Sequence, residues 1–269
     1  MLMARRMTNL GRLGAGLLLC LMLALARGPA VSAAGTAYTA LGDSYSSGVG
    51  TRDYYSDSGG CDRSPDAYPV LAAAREGLDL TFAACSGATT TDVLDQQLAS
   101  LSASTAVVTI SAGGDDAGFS SVIEQCALPW PFTCTSQISS ADTFITGTLP
   151  GLLDTLYAKI RSLAPNAHVI VVGYPRLFNG DECNALSRIS PQEQTSLNQS
   201  ADLLGQTTQT AAGTYGFTFV DARPAFTGHA VCSSDEWING LSDPVSESYH
   251  PNIAGQQAYA TLVQAAMAA

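Results

Sequence analysis

Five short apolar runs rich in β-branched or aromatic residues, at residues 38–41, 80–83, 107–111, 169–172 and 217–220, constrain this chain more than any other feature. Runs of this length bounded by turn residues read as strands buried on both faces. Helical patterns fill the intervals. Ser190-Pro191-Gln192-Glu193 combines a capping serine, a proline at the first helical position and a glutamate that closes a capping box, so a helix is predicted from there to about Tyr215. A second long helix is predicted from Ser139 or Ser140, with Phe144, Leu149, Leu152, Leu156, Ile160 and Leu163 at three- and four-residue spacing and Pro165 at its end. The last should begin near Asn252, with Ala254, Ala258, Leu262 and Ala265 on one face. Alternation of this kind implies an α/β domain of three layers, α/β/α, around a mainly parallel five-stranded sheet with right-handed crossovers. Residues 52–65, 126–137 and 178–190 lack periodicity and read as surface loops.

The first 33 residues differ from the rest. Arg5, Arg6 and Arg12 precede an apolar run at residues 13–26, and small residues follow at Val31, Ser32 and Ala33. This is the pattern of a secretory signal peptide, and the run is short for a membrane span of about 20 residues. The expected product is one soluble extracellular domain, residues 34–269, with no stable membrane insertion. Residues 34–269 carry eight Lys and Arg against 23 Asp and Glu, a net charge of −15. Such a balance argues against nucleic-acid binding. The same segment holds six cysteines, Cys61, Cys85, Cys126, Cys134, Cys183 and Cys232. An even number in an exported chain implies three disulfides. Sequential pairing would close the shortest loops, but sequence cannot choose among the connectivities. A zinc site is the weaker reading, since no Cys-x-x-Cys pair occurs.

Ligands of open parallel sheets bind beyond the carboxyl ends of the strands, so residues just after each predicted strand are the candidates for chemistry. Gly42-Asp43-Ser44-Tyr45-Ser46-Ser47-Gly48 follows the first. A serine after a glycine turn can present its hydroxyl, but it needs a base. The histidines are His168, His229 and His250. His168 heads a predicted strand and His229 lies in a loop, where packing or hydrogen bonding is expected of both. His250 lies in Glu247-Ser248-Tyr249-His250-Pro251, just before the final helix and at the same sheet edge as Ser44. It is the best candidate.

Gly42-Asp43-Ser44 with Ser46-Ser47-Gly48, Ala84-Cys85-Ser86-Gly87-Ala88, Ser111-Ala112-Gly113-Gly114-Asp115-Asp116 and Ser248-Tyr249-His250-Pro251 resemble, in order, the blocks of the SGNH (GDSL-type) hydrolases. The likeness spans essentially all of residues 34–269 and is closest to secreted actinobacterial lipases, esterases and phospholipases A1. It implies a flavodoxin-like sheet, Ser44 as nucleophile, His250 as base, and an oxyanion hole from the Ser44 and Gly87 N–H groups plus the side chain at position 115. It implies an ester or lipid substrate and no cofactor or metal; a monomer is the default. Two positions depart from the family. Its usual Asn is Asp115 here, and an ionised carboxylate cannot donate to an oxyanion. Activity is then low, unless Asp115 stays protonated in a dry site or Asp116 takes another role. Its usual acid, three residues before the histidine, is Glu247 here; some relatives orient the histidine with a backbone carbonyl, which Ser248 would supply.

The implied function is a secreted carboxylic ester hydrolase acting on lipids through a Ser44–His250 acyl-enzyme. Tyr45, Tyr54, Tyr55, Trp130, Pro131, Phe132 and Phe178 are candidates to line its acyl groove. The rivals are a carbohydrate esterase, a catalytically silenced binding module, and a metal phosphoesterase built on Asp43, Asp115 and Asp116.

Overall fold

The structure, a computed structural model, describes residues 35–128, 131–183 and 189–269. The expected leader at residues 1–33 and the groove candidate Trp130 lie outside the described residues. The strands are β1 (Thr36–Gly42), β2 (Leu78–Phe82), β3 (Val107–Ser111), β4 (His168–Val172) and β5 (Thr218–Val220). They form one parallel sheet in the order β2-β1-β3-β4-β5. All five expected strands are present, within two residues at each end.

The helices are α1 (Ser44–Ser47), α2 (Tyr68–Glu76), α3 (Thr90–Asp92), α4 (Phe119–Cys126), α5 (Thr135–Gly147), α6 (Leu149–Leu163), α7 (Pro191–Thr214) and α8 (Ile253–Met267). Successive residues of a strand face opposite sides, and β4 divides accordingly. Ile170 and Val172 pack with residues of α2 and α8, whereas Val169 and Val171 pack with residues of α6 and α7. Both faces of the sheet are therefore covered, giving the three-layer arrangement expected. After β2 the chain crosses back over β1 to lay down β3, so the direction of winding reverses between β1 and β3. The crevice at such a reversal, outside the carboxyl ends of the strands, is where these folds bind ligands.

Gly42 ends β1 at that reversal with φ +122°, and a Cβ there would lie 2.5 Å from the Ser111 carbonyl oxygen. No side chain fits. The Gln97 side chain clamps the same peptide, accepting from the Gly42 N–H at 2.8 Å and donating to its carbonyl at 2.9 Å.

Two helix expectations need correction. The single helix predicted from Ser139 or Ser140 is two, α5 and α6, and the first begins earlier, at Thr135. Pro150 in the first turn of α6 lacks an N–H and its ring collides with the carbonyl four residues back, so the chain breaks at Thr148. On α8 the buried face is Gln256, Tyr259, Ala260, Val263 and Ala266, about one position from the alanine stripe expected. Gln256 goes inside because both ends of its amide find partners there, the oxygen accepting from the Tyr68 N–H at 2.9 Å and the nitrogen donating to the Tyr45 carbonyl at 3.2 Å. The cysteines pair sequentially, Cys61–Cys85, Cys126–Cys134 and Cys183–Cys232. Among the described residues no helix is long and apolar enough to cross a membrane.

Replacing Gln256 by Leu keeps the volume but orphans two buried backbone groups. The variant is expected to lose ~3 kcal/mol of stability, read as a melting temperature lower by roughly 6–12 °C. An unchanged melting temperature would show that the amide is dispensable to the α2–α8 layer.

Candidate active site

The turn after β1 is held by one carboxylate. Asp43 caps α1, accepting at Oδ1 from the Tyr45 N–H at 3.0 Å and from the Ser111 hydroxyl at 2.6 Å. Its Oδ2 accepts from the Tyr174 hydroxyl, just beyond β4. Asp43 is 1% exposed, and burial raises its pKa against the pull of these three donors. Capping turns the chain sharply and leaves Ser44 as the first residue of α1, 7% exposed.

His250 comes from the loop entering α8. Asn252 caps that helix through the Gly255 N–H at 3.1 Å, and the Asn239 N–H binds the His250 carbonyl at 2.9 Å. The Tyr45 hydroxyl donates to the Tyr249 carbonyl at 2.8 Å, tying this loop to α1. His250 Nε2 then lies 2.8 Å from Ser44 Oγ, and Nδ1 lies 2.9 Å from the Ser248 carbonyl. A carbonyl only accepts, so the ring proton belongs on Nδ1 and the Nε2 lone pair faces the serine hydroxyl. Burial pushes the imidazole down from 6.5 to about 4, opposed by the Ser248 carbonyl. The ring is therefore neutral, the form that can accept a proton.

Glu247 does not make the contact its position suggests. Its carboxylate turns away from His250, and Oε1 accepts from the Tyr54 hydroxyl at 2.5 Å. Among the described residues its Oε2, which is buried, has no hydrogen-bond partner.

Asp115 lines one cavity with Ser44 and His250. Burial, and then the charges of Asp43, Asp116 and Asp92, raise its pKa from 3.8 to about 7. Asp116 faces elsewhere, accepting from the Thr90 hydroxyl at 2.6 Å and the Thr90 N–H at 2.9 Å. Asp43 and Asp116, weighed with Asp115 as metal ligands, thus spend their oxygens on protein donors. Gly87 borders a depression with Cys61 and Cys85. Its turn is docked on β1 by the Cys85 N–H, 2.9 Å from the Gly42 carbonyl. Among the described residues neither the Ser44 nor the Gly87 N–H donates to a protein acceptor.

The cavity, about 810 Å³ including its open mouth, runs from the Ser44–His250 pair between helices. Phe119 and Val122 of α4, Ile138 and Ile145 of α5, and Leu197 and Leu204 of α7 wall it. This corrects the expected groove. Among the described residues proposed to line it, only Tyr45 does. Tyr54 is bound to Glu247, Tyr55 and Phe132 are exposed, Pro131 is not in the walls, and Phe178 packs on Tyr249 in the core. The reason is the break at Thr148, which separates α5 from α6, so that α5 packs on α4 and α7 and brings Ile138 and Ile145 to the cavity.

The other histidines are structural. His168 pairs with the Thr218 hydroxyl at 3.0 Å, and His229 stacks on Trp237 with ring centroids 3.6 Å apart. Sequence reading missed Tyr174, which bonds Asp43 and accepts from the Gly114 N–H at 3.3 Å, and Gln97. Neither carries a local signal, because each acts on residues more than 50 positions away.

Residues 40–258 match the GDSL-like Lipase/Acylhydrolase family. The chain is 45% identical over 247 residues to Lipase 1 of Streptomyces coelicolor, covering 87% of this chain and 91% of that protein. The crystal structure of phospholipase A1 from Streptomyces albidoflavus is similar at a TM-score of 0.82 and 41% identity, covering 86% of this chain and 99% of that one. The extracellular lipase of Streptomyces rimosus gives the same TM-score and identity, covering 86% and 100%.

A histidine that folds neutral costs stability in acid. The unfolded ring binds a proton near 6.5 and the folded one only near about 4, so stability is full above 6.5 and lost as pH falls toward 4. The loss over that window should approach roughly 3 kcal/mol. Urea denaturation at several pH values should show it as a change in the stability difference between the parent and His250→Gln; a difference that stays constant with pH would contradict the burial assigned to the ring.

Proposed function

The chain belongs to the GDSL-like lipase/acylhydrolase family and is a carboxylic ester hydrolase, and on that premise we propose that it is a secreted lipid esterase working through a Ser44 acyl-enzyme. The observation that carries the reading is the Ser44 Oγ–His250 Nε2 contact of 2.8 Å at the mouth of an apolar cavity. His250 takes the hydroxyl proton as Ser44 Oγ bonds to the ester carbonyl carbon. The carbonyl electron pair moves to oxygen, facing the N–H groups of Ser44 and Gly87. Collapse expels the alcohol, which leaves with the proton from His250. Water, deprotonated by the same ring, then attacks the acyl-enzyme, releasing the acid and restoring Ser44.

The Ser248 carbonyl fixes the His250 tautomer in this reading, and Glu247 acts as a strap that holds Tyr54 and residues 50–54 against the histidine loop. Support comes from Nδ1, 2.9 Å from that carbonyl, while Glu247 is engaged by Tyr54. The acyl chain lies among the side chains of α4, α5 and α7, which are mostly branched or aromatic and offer no charge. This favours fatty acyl groups over the short acyl groups of acetylated sugars. Export is supported by the leader-like pattern of residues 1–33, by three disulfides and by likeness to an extracellular lipase.

Purified residues 34–269 should release nitrophenol from p-nitrophenyl esters, faster for medium or long chains than for acetate. Ser44→Ala should reduce release at least ~10³-fold. Release that survives this substitution would refute the acyl-enzyme. Glu247→Gln keeps a partner for Tyr54 and should cost turnover less than about tenfold, whereas a loss near 10⁴-fold, as for an orienting acid, would return that role to Glu247.

A further inference from the structure

Three aspartates sit around the β1–β3 reversal, and two are supplied with donors. Asp43 accepts from Tyr45, Ser111 and Tyr174, and Asp116 accepts twice from Thr90. Asp115 has none. Among the described residues its carboxylate receives no hydrogen bond and faces no cation, although it shares the cavity wall with Ser44 and His250. The titratable groups around it are Asp43 and Tyr45 from the β1–α1 turn, Asp92 from α3, Asp116 on its own loop, Tyr174 beyond β4, and His250. The two tyrosine hydroxyls are committed to the Tyr249 carbonyl and to Asp43. Among the described residues His250 is the only group there that can become a cation, and it stays neutral down to about 4.

A half-buried carboxylate beside like charges, with no donor and no counter-ion, is relieved by taking up a proton. Once neutral it carries an O–H, a donor such as the family's amide supplies at this position, whereas the anion repels negative charge. We propose that Asp115 is the third oxyanion donor in its protonated form, so that this chain hydrolyses esters under mildly acidic conditions and shuts down as Asp115 ionises. The inference rests on the esterase reading above. The Asp115 O–H donates to the carbonyl oxygen as its charge develops and keeps its proton throughout, so nothing beyond ester and water is consumed. The proton is present below about 7 and lost above it. The imidazole base works above about 4. Activity is therefore confined between those limits.

The test is kcat/KM for p-nitrophenyl butyrate from about pH 4 to about pH 9, followed at the isosbestic wavelength of nitrophenol, for the parent, Asp115→Asn, Asp115→Ala and Ser44→Ala. The parent should fall about tenfold per pH unit above neutrality. Asp115→Asn should keep the acid limb, lose the alkaline one, and exceed the parent at least ~10-fold at the highest pH. Asp115→Ala should also lose the alkaline limb but lie ~10²–10³-fold below Asp115→Asn, because it removes the charge without restoring a donor. A second reading needs no substrate: the melting temperature of Asp115→Asn should draw ahead of the parent as pH rises from 4 to 7, since only the parent must give up a bound proton. An alkaline limb common to the parent and Asp115→Asn, or an Asp115→Asn rate below the parent at every pH, overturns the proposal while leaving the esterase in place. Absence of Ser44-dependent release from every protein at every pH overturns the esterase reading and this inference with it.

Discussion

The buried carboxylate of Asp43 is the junction from which the site is assembled. It accepts from the first turn of α1, from the end of β3 and from Tyr174 beyond β4. A charge in that position is costly unless its lone pairs are met, and meeting them pulls three carboxyl-end loops to one point. Ser46 extends the network, bridging the Ser111 hydroxyl and the Tyr68 hydroxyl at 2.8 Å each. The Gly42 peptide beneath it is clamped by Gln97 against β3. The Ser44 turn is thus fixed from both sides before any ligand arrives, which is what the proposed reaction, limited by positioning, requires.

The same burial that makes Asp43 structural sets the chemistry of its neighbours in opposite senses. Removing water penalises charge of either sign, so it lowers the pKa of His250 and raises that of Asp115. Asp43 adds to the second effect through its charge. On the proposed reading the result is a neutral base and a neutral acid in one apolar cavity. The departure from the family at position 115 and the Ser44–His250 pair then belong to one electrostatic arrangement.

Strands, the serine turn and the final histidine loop were legible because each is written locally. The buried runs of β3 and β4 have no polar alternation, and the capping box at Ser190 announces α7 with its own residues, found bonded as expected. The cavity beside Ser44 was not legible. Its walls come from three helices that are distant in sequence, and the aromatic loop residues that looked available are spent on Glu247, on Tyr249 or on solvent. Nor could sequence choose between Glu247 and the Ser248 carbonyl at the histidine, since the choice depends on where Tyr54 goes.

By itself the sequence determined the order of strands and helices and pointed to Ser44 and His250 as the candidate pair, because propensity, capping and block spacing act over a few residues. Tertiary structure decided what surrounds those groups: which carboxylates find donors, which side of α8 faces inward, and how α5 reaches the site. Those outcomes depend on contacts between residues 50 to 200 positions apart, where hydrogen-bond satisfaction and exclusion of water are settled only once the layers have closed.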